Sequence, residues 1–545
     1  MKMNILVVVA LFSISATACV DDLSDYGFES APAISDNTYI PANVRAALDD
    51  EQRKIIDYFY SGADPESGMC LNTDTDLTTL TTGATGMGVM NIVCGVERGW
   101  ISRVEGAAHI QKLVRWLDKA DRFKGAWAHW YKPTGRTTPF GNQTAAGEIV
   151  ETAFMMAGLL TACEYFDGTD VVETEIRTMT DKFWKEIEWN GFIKGDMLYW
   201  IWHSNLSENE AYELPIVGWN ECLIVYILGL AAPDEHKIPV DVYNKCWKGY
   251  NYANPARYTY GYNLPVGGNE TGAALFLSQY SFLGLDPRQM EDDAAWYWTQ
   301  NLSHTLINRH YCLYEAPAAH KYNEFNWGLT ACGGCGTKQA YLSRDPKCDD
   351  GVIAPTAAIS AYPYTPFYAT QVLMNLKKNW TNLEGKYGFR NSYSPSEKAV
   401  CNAYLGMEHA PMGIMIENYR SGLIWNLLMR NEYVKKGLAV AGITVPIYKD
   451  GFYLAQIETQ TGVYDMMRHP DTEQYQIDFY TKMGGEAQLL IYDSVGERII
   501  EKNINLKNGA NVIEFYDDAI CAGQPYVLVI NSKVGTNYKL KVRLR

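Results

Sequence analysis

Two carboxylates at the start of a strongly apolar stretch are the residues of this sequence best placed to do chemistry. Glu148 and Glu151 stand three positions apart, a spacing that puts both on one face of a helix. The residues that follow, 149–160, are almost all apolar and predict a buried helix. Acids at the start of a buried helix are expected to line a cavity, although for Glu148 a simple helix-capping role explains the pattern equally well.

The same arrangement occurs twice more along the chain. Glu221 stands directly before the apolar residues 222–228, and Glu408 precedes a third apolar helix. Glycoside hydrolysis needs such carboxyl groups: one with a raised pKa protonates the leaving oxygen, and a second activates water or attacks the sugar. A separation of about 6.5–9.5 Å between the two carboxyl groups would indicate hydrolysis with inversion of the anomeric configuration. We therefore predict Glu151 and Glu221 as the central catalytic acids, with Glu148 and Glu408 as assisting acids or the water-activating base.

Aromatic side chains, which can bind sugar rings, are concentrated in two loops. Aromatic residues make up 13% of the chain. For any single one of them, core packing is the more common role. The candidates for substrate binding are Trp127, His129 and Trp130 in one loop, and Tyr199, Trp200 and Trp202, beside His203, in the other.

Sequence motifs of several other enzyme classes are missing or incomplete. The sequence has no phosphate-binding loop, no zinc-binding HExxH and no GxSxG elbow. Residues 72–76 start like a calcium loop, but Leu77 and Gly83 stand where a glycine and the closing glutamate are needed. The CGGC of 332–335 has no matching second pair, so we predict a structured loop, which Cys348 could close by a disulfide. We expect no metal and no cofactor.

Charge and cysteine content limit the partners. The formal net charge of −16 over 545 residues argues against nucleic acid or an anionic membrane surface. The expected partner is an oligosaccharide or polysaccharide, and we expect a monomer. If one of the 12 cysteines is lipidated, 11 are left, an odd number that does not indicate a disulfide scaffold.

The N-terminus predicts export. Residues 1–19 combine a basic start, a short apolar segment and small residues before Cys19, a pattern that resembles a lipoprotein signal peptide. Asp21 and Asp22 resemble the surface-export signal of Bacteroidetes lipoproteins. We expect an outer-membrane or cell-surface lipoprotein, held to the membrane only by the lipid on Cys19 and a tether of residues 20–41. A periplasmic location and a plain secreted protein are the alternatives.

Helical periodicity predicts an all-α domain over residues 42–442. Long aromatic and glycine-rich loops separate alternate helices and are expected to meet at one end of the domain. The expected helices are 44–59, 82–96, 102–120, 148–166, 171–189, 220–230, 240–250, 271–283, 293–306, 354–361, 365–379 and 412–436.

A small all-β sandwich domain is expected over residues 447–545. There the apolar and polar residues alternate between glycine, asparagine and aspartate turns. The domain resembles, weakly, the accessory or sorting modules of Bacteroidetes secreted proteins. The expected strands are 452–465, 474–482, 487–492, 512–516, 526–531 and 538–543.

Eight longer motifs between about residues 50 and 440 resemble the glycoamylase-like family, which overlaps glycoside hydrolase family 144. They are GAWAHW (125–130), ETAF (151–154), GWNE (218–221), YSFLGLDP (280–287), HTLINR (304–309), WGLTA (327–331), APTAAIS (354–360) and MIENYR (415–420). The resemblance implies an (α/α)6 toroid and anomer-inverting hydrolysis of β-1,2-glucan or its oligosaccharides, including release of sophorose. Through these motifs, Trp219, Trp327, Asn418 and Arg420 join the substrate-binding candidates.

The resemblance also bears on the acids. Glu151 and Glu221 match the family's central pair, whereas Glu148 and Glu408 stand where the family usually has aspartate. The family's acidic run before Gly147 is replaced here by NQTAA. Two other readings stay open: a non-catalytic glycan-binding lipoprotein on the same scaffold and, less favoured, a polysaccharide lyase. The candidate bases for a lyase are His129, His203 and Tyr419.

Overall fold

The structure is a computed structural model that describes the helical region and most of the β-strands. It covers Ile40, residues 42–139 and 145–444, and then 467–468, 475–481, 485–493, 497–506, 509–515, 520, 525–532 and 538–543. The predicted signal peptide, Cys19, the tether, the predicted strand 452–465 and residues 142–144 lie outside the described residues. In the described ranges, no helix is both long enough and apolar enough to span a bilayer.

Residues 42–444 are mainly helical, as predicted. The described residues contain α1 Ala42–Phe59, α2 Thr82–Glu97, α3 Arg103–Leu117, α4 Ile149–Tyr165, α5 Val171–Glu186, α6 Leu223–Ala231, α7 Val240–Val242, α8 Tyr297–His310, α9 Pro355–Ile359, α10 Pro366–Asn379, α11 Gly406–Arg420, α12 Leu423–Arg430 and α13 Glu432–Val440.

The helices form two layers. Nearly every residue of α2, α4 and α11 is buried, and every residue of α6 is. Helices α3 and α5 each bury one face and pack against each other on the outside. Within the inner layer α2 contacts α4 and α11, and α4 contacts α6. A helix that is apolar all round must be covered on all sides, so the apolar sequences of these helices favour the inner layer.

Two glycines allow α2 and α4 to cross at close range. A Cβ atom on Gly158 would stand 2.0 Å from the carbonyl oxygen of Gly86, and one on Gly86 would stand 2.2 Å from the carbonyl oxygen of Phe154. Side chains at either position would push the helices apart. The crossing therefore fixes the relative positions of the first turns of α2 and α4.

Short strands in the loops extend the helical region. They are β1 Leu71–Thr73, β2 Asp76–Thr81, β3 Arg122–Phe123, β4 Ala126–Trp127, β5 Trp130–Tyr131, β6 Thr137–Thr138, β7 Ala146–Glu148, β8 Ile193–Lys194, β9 Met197–His203, β10 Tyr212–Pro215, β11 Tyr258–Thr259, β12 Tyr262–Asn263, β13 Ala331–Cys332, β14 Leu342–Ser343, β15 Glu384–Gly385, β16 Gly388–Phe389, β17 Tyr393–Ser394 and β18 Ala399–Val400. The two largest sheets have four strands each: one runs in the order β1-β2-β5-β6, and the other in the order β10-β9-β7, with β8 also paired to β9. The other sheets described in this region are two-stranded.

The residues described after 444 lie mainly in β-strands, which agrees with the predicted alternation of apolar and polar residues. Its described strands are β19 Met467–Arg468, β20 Tyr475–Thr481, β21 Gly485–Tyr492, β22 Arg498–Leu506, β23 Gly509–Phe515, β24 Pro525–Ser532 and β25 Tyr538–Arg543. They form two antiparallel sheets, β19-β20-β23 and β22-β21-β24-β25. Strand β22 was not predicted, because charged residues interrupt its apolar alternation.

Three predicted helices are wrong in form. Residues 271–283 contain only the 3₁₀ turns Leu275–Ser278 and Ser281–Leu283. The predicted helix 240–250 is one short α turn followed by a π turn, Tyr243–Trp247. The predicted helix 412–436 falls within α11, α12 and α13, because Gly422, with φ of 66°, ends the α-helical path after α11.

Candidate active site

Four carboxyl groups stand near the starts of three buried helices, and we call Glu148, Glu151, Glu221 and Glu408 the acid cluster. Glu151 and Glu408 lie in the first turns of α4 and α11. Glu221 lies in the turn two residues before α6, whose predicted start was therefore three residues too early. The positive ends of these helices favour the ionised form of nearby carboxylates.

Glu148 differs from its predicted position. It is the last residue of β7, with φ of −118° and ψ of 114°, and its side chain caps no helical N–H. Strand β7 pairs with β9, where Glu148 stands opposite Ile201. Glu148 and Glu151 therefore do not share a helical face, and the capping explanation for Glu148 is wrong. A strand-to-helix junction, rather than helical spacing, brings the two acids together.

His129 connects these two acids. Its Nδ1 lies 2.8 Å from Oε2 of Glu148 and 3.7 Å from Oε1 of Glu151. Burial disfavours the imidazolium, but the charges of the two glutamates outweigh it and raise the pKa of His129 to about 9. At neutral pH His129 is a cation that donates Nδ1–H to Glu148. Trp200 donates its indole N–H to the same oxygen at 3.3 Å.

Glu151 is held by the start of a different helix. The backbone N–H of Gly83, in the first turn of α2, donates to Oε2 of Glu151 at 2.6 Å. A Cβ on Gly83 would stand 2.5 Å from this oxygen, so only glycine allows the contact. Burial raises the pKa of Glu151 to about 7, against the opposing charge of His129.

Glu408 accepts a hydrogen bond from a residue that the sequence did not single out. The phenol of Tyr341 donates to Oε1 of Glu408 at 2.5 Å. Burial raises the pKa of Glu408 to about 7, although the bond from Tyr341 favours the carboxylate. No sequence pattern marks Tyr341, which precedes the two-residue strand β14 in a loop.

Glu221 has the least polar support of the three acids with a raised pKa. Burial raises its pKa to about 7, and within the described residues the donor found for its carboxyl group is its own backbone N–H. Its backbone is fixed instead: the hydroxyl of Ser281 donates to the Glu221 carbonyl at 2.5 Å and accepts the N–H of Ile224 at 3.1 Å. The Glu221 side chain keeps some exposed surface, as expected for a group that lines a cavity.

Tyr280 lies close enough to three of the acids to respond to their charges. Burial raises its pKa, and the charges of Glu408, Glu221 and Glu151 each raise it further. One phenol therefore interacts with acids from α4, α11 and the loop before α6. That these acids form one catalytic site stays a prediction. Tyr280 itself was missed as a site residue, although the motif that it begins had been noted.

The aromatic candidates divide into two groups, of which the first adjoins the acid cluster. Trp200 contacts Glu148 directly, and Trp130 stands edge-on to His129 with ring centres 5.1 Å apart. Trp202 and Tyr199 lie on the same strand as Trp200, with Lys124 over the Trp202 ring at 4.4 Å. Of these three residues of β9, Trp200 is the one that contacts an acid, and Tyr199 stands on the opposite face of the strand against Tyr212.

The second group belongs to the core. Trp127 and Trp327 are fully buried, and the indole of Trp127 donates to the carbonyl of Leu117. Trp219 packs against Phe282 and Tyr297, which also contact each other. The substrate-binding role predicted for Trp127 and Trp327 is wrong, because no face of either ring is left for a sugar.

Asn418 and Arg420 are also structural. The buried side chain of Asn418, on α11, donates to the Leu283 carbonyl and accepts the N–H of Trp425 in α12. It therefore links α11 to both segments. Arg420 binds Asp49 at 2.6 Å and Gln52 at 3.0 Å. Their predicted contact with substrate is wrong, because these partners occupy their polar groups.

Nearby groups are also committed to internal contacts. Glu417 pairs with Arg98 at 2.7 Å. Cys332, Cys335 and Cys348 are free thiols, so the disulfide considered for Cys348 does not form.

The bases considered for a lyase are not free. His129 is cationic, as described above, and His203 lies 2.9 Å from a carboxylate oxygen of Glu213. Tyr419 is buried with its ring 5.1 Å from that of Tyr362. None of the three is an unoccupied base, which weakens the lyase reading.

One group of site residues has the composition of a cation site. Ligand atoms of His129, Glu148 and Glu151 all lie within 4.8 Å of one another. The protonated imidazole already supplies a positive charge between the two carboxylates. The residues are therefore explained as an ion pair, and the absence of a metal stays a prediction.

Comparison with known proteins gives consistent matches. The Glycoamylase family model matches residues 213–432. An endo-β-1,2-glucanase from Chitinophaga pinensis, solved with sophorotriose and glucose, is 38% identical over 74% of this chain and 99% of its own, with a TM-score of 0.70. A β-1,2-glucanase structure from Parabacteroides distasonis is 35% identical over 74% of this chain and 61% of its own, also with a TM-score of 0.70.

A curated relative gives the same picture. An exo-β-1,2-glucooligosaccharide sophorohydrolase acting at the non-reducing end, from Parabacteroides distasonis, is 36% identical over 432 residues. The match covers 74% of this chain, and the chain spans 59% of the length of that relative.

Proposed function

Because this chain belongs to the glycoamylase-like family, which overlaps glycoside hydrolase family 144, we propose that it hydrolyses β-1,2-glucan or its sophoro-oligosaccharides. The observation that carries the proposal is the acid cluster around Tyr280. Three of its members, Glu151, Glu221 and Glu408, have pKa values raised to about 7. Carboxyl groups of this kind can donate or accept a proton at neutral pH.

Glu221 is the proton donor in this proposal. Burial raises its pKa, and apart from its own N–H, no described group favours the charged form of its carboxyl. A carboxyl group in that position keeps its proton until the glycosidic oxygen needs it. Protonation of this oxygen lets the bond to the anomeric carbon break, and the sugar leaves with a free hydroxyl group.

Glu408 is the base. Its bond from Tyr341 stabilises the carboxylate, the form that accepts a proton. A water molecule between Glu408 and the anomeric carbon would lose a proton to Glu408 while its oxygen forms the new bond to carbon. Attack from the face opposite the leaving group inverts the anomeric configuration.

Glu151 and Glu148 assist. Glu151 stands beside Glu408 closely enough for its charge to raise the pKa of that acid. The ion pair of Glu148 with His129 places a positive charge against Glu151 and so limits the negative charge of the site. Trp200 and Trp130 border this pair and are the proposed contacts to sugar rings.

We propose an (α/α)6 toroid over residues 42–442 and a β-sandwich over 447–545. The fully buried helices α2, α4, α6 and α11, with the amphipathic α3 and α5 outside, support two concentric helical layers. The two antiparallel sheets support the sandwich.

Location and assembly are part of the same proposal. The pattern of residues 1–19, with Cys19 and the two aspartates after it, supports an exported lipoprotein at the outer membrane or cell surface. Replacement of Cys19 by serine should then release the protein from membranes. We propose a monomer, for which sedimentation of the lipid-free protein is the test.

Product analysis tests the activity. The lipid-free protein would be incubated with β-1,2-glucan, sophoro-oligosaccharides and a panel of other α- and β-linked glucans, and the anomer formed first would be read by NMR. We expect sophoro-oligosaccharides of inverted configuration. Glu221→Gln and Glu408→Gln, which remove the proposed acid and base, should lower kcat by about 100- to 10,000-fold. Glu151→Gln should lower it less, and Glu208→Gln, at an exposed position, should leave it unchanged.

The same experiment separates the two readings of the scaffold. Turnover by wild type that is lost in Glu221→Gln supports the hydrolase. Binding of a glycan without turnover, equal in wild type and Glu221→Gln, would contradict the hydrolase and support a glycan-binding protein.

A further inference from the structure

Tyr341 combines a buried contact with an exposed ring. Its hydroxyl donates to Glu408 at 2.5 Å, while the residue as a whole is 56% exposed. We propose that Tyr341 is a positioning residue whose hydroxyl orients Glu408 and whose ring borders the sugar nearest to it. The inference rests on the proposed function, in which Glu408 is the base, and adds a residue that neither the motifs nor the comparisons indicate.

The loop that carries Tyr341 is firmly held at its base. Residues 333–341 connect β13 to β14, and we call them the Tyr341 loop. Fully buried Arg344 donates to the carbonyls of Cys332 at 2.7 Å and Ala340 at 3.2 Å, and it pairs with Asp350 at 2.7 Å. These bonds fix the backbone on both sides of the loop, one of them at the residue directly before Tyr341.

Two further contacts hold the rest of the loop. The N–H of Gly333 donates to Asn391 at 2.6 Å, and Thr337 donates both its N–H and its hydroxyl to Glu397. A side chain on a loop that is fixed by such contacts loses less conformational entropy on forming a hydrogen bond than one on a mobile loop. The Tyr341 hydroxyl can therefore fix the orientation of Glu408 before substrate arrives.

The surroundings of Glu408 make this hydroxyl important. The groups that interact electrostatically with Glu408 are Glu151 from α4, Tyr280, Tyr58 from α1, Cys332 from β13 and Tyr341. Glu151 carries like charge and raises the pKa of Glu408. Tyr341 is the side chain whose hydrogen bond lowers it. Loss of the hydroxyl should therefore make Glu408 harder to ionise and free to rotate.

The ring has a separate effect. More than half of the surface of Tyr341 is exposed, and the residue stands directly beside the buried Glu408. Aromatic faces with a few polar groups are typical of ligand sites. A sugar whose anomeric carbon is near Glu408 would contact this ring. Substitutions that remove only the hydroxyl, or the whole ring, should therefore affect different kinetic constants.

Kinetics of Tyr341→Phe and Tyr341→Leu on sophoro-oligosaccharides test the inference. For Tyr341→Phe we expect kcat to fall about 10- to 100-fold, the loss of one charge-assisted hydrogen bond, with KM nearly unchanged. The acid limb of its kcat/KM profile should move to higher pH, because the pKa of Glu408 rises. Tyr341→Leu should lower kcat similarly and also raise KM. Tyr258→Phe, at a tyrosine exposed to a similar extent, is the matched control.

The outcomes distinguish this inference from the proposed function. Wild-type turnover with an unchanged rate and pH profile in Tyr341→Phe would overturn the role of Tyr341 alone. A faster Tyr341→Phe enzyme would also overturn it, since the hydroxyl would then obstruct Glu408. A wild-type protein without hydrolytic activity on any glucan would overturn both. Circular dichroism of each variant checks that the fold is intact.

Discussion

At the scale of single residues, Glu151, Glu221 and Glu408 depend on one physical effect. Burial disfavours their charged forms and raises each pKa to about 7. The cost of burying an acid is therefore part of how the site works, because it keeps protons available at neutral pH. What differs among the three is the donor: a backbone N–H of Gly83 for Glu151, the phenol of Tyr341 for Glu408 and, among the described residues, its own N–H for Glu221.

Substitution of Glu221 should stabilise the protein while removing its activity. The folded-state pKa of Glu221, about 7, lies above the ordinary glutamate value of 4.5. The favourable contribution of this group to stability is therefore fully present below pH 4.5 and is lost as pH rises through 7. Glutamine does not ionise. At pH 8 the free energy of unfolding of Glu221→Gln should therefore be about 1–3 kcal/mol higher than that of wild type.

Denaturant unfolding at pH 5 and pH 8 measures this effect. The advantage of Glu221→Gln should be small at pH 5 and larger at pH 8. An advantage that is the same at both pH values would contradict the assigned cause.

His129 should give the opposite pH dependence from a buried histidine such as His304, whose pKa burial lowers to about 4. The folded-state pKa of His129, about 9, lies above its ordinary value of 6.5, because Glu148 and Glu151 outweigh its burial. Its favourable contribution is fully present below pH 6.5 and is lost as pH rises through 9. The free energy of unfolding of wild type should exceed that of His129→Gln at pH 6, and the gap should narrow by pH 10. A gap that does not depend on pH would show that the imidazole is not charged.

At the scale of elements, the site depends on how closely α2 and α4 approach each other. Helix α4 carries Glu151, and α2 supplies the N–H of Gly83 that binds it. The crossing at Gly86 and Gly158 sets the distance between the two. Small residues in the middle of these helices, which cost helix propensity, are therefore explained by the site as well as by packing.

Replacement of Gly158 by alanine tests this coupling. Its Cβ would stand 2.0 Å from the Gly86 carbonyl, so α2 and α4 must separate. We expect a loss of about 1–3 kcal/mol in the free energy of unfolding and a fall in kcat, because Glu151 moves away from Gly83. Thermal unfolding and turnover of β-1,2-glucan are the measurements. A variant with reduced stability but full kcat would show that the crossing supports only the core.

At the scale of the whole molecule, charge restricts the substrate. The chain carries a formal net charge of −16, and its acid cluster has four carboxyl groups, two of which face the cationic His129. A neutral glucan meets no electrostatic barrier there, whereas a uronate polymer would bring like charges into a poorly solvated space.

The protein should therefore not cleave uronate polysaccharides. Incubation with polygalacturonate or alginate should give no increase in absorbance near 235 nm, the signal of an unsaturated product. Such an increase would revive the lyase reading, and loss of the increase in His203→Ala would identify the base.

Much of the architecture followed from the sequence. The apolar runs that became α2, α4 and α6 predicted buried helices, because a helix without a polar face must be covered. The alternating pattern after residue 447 predicted the antiparallel sheets that the described strands form. The helix predicted over 271–283 failed, because its apolar residues are held by tertiary packing as 3₁₀ turns rather than by helical hydrogen bonds.

The apolar runs that follow the acids were enough to predict which acids stand near the starts of buried helices. The eight motifs were enough to indicate the family. Tertiary structure alone decided the partners of the acids, since Gly83 binds Glu151 from 68 residues away, Tyr341 binds Glu408 from 67 and Trp200 reaches Glu148 from 52. Tertiary structure also decided that Trp127 belongs to the core. The physical reason is that residue type and spacing fix local conformation and burial, whereas a contact between distant residues exists only after the helices have packed.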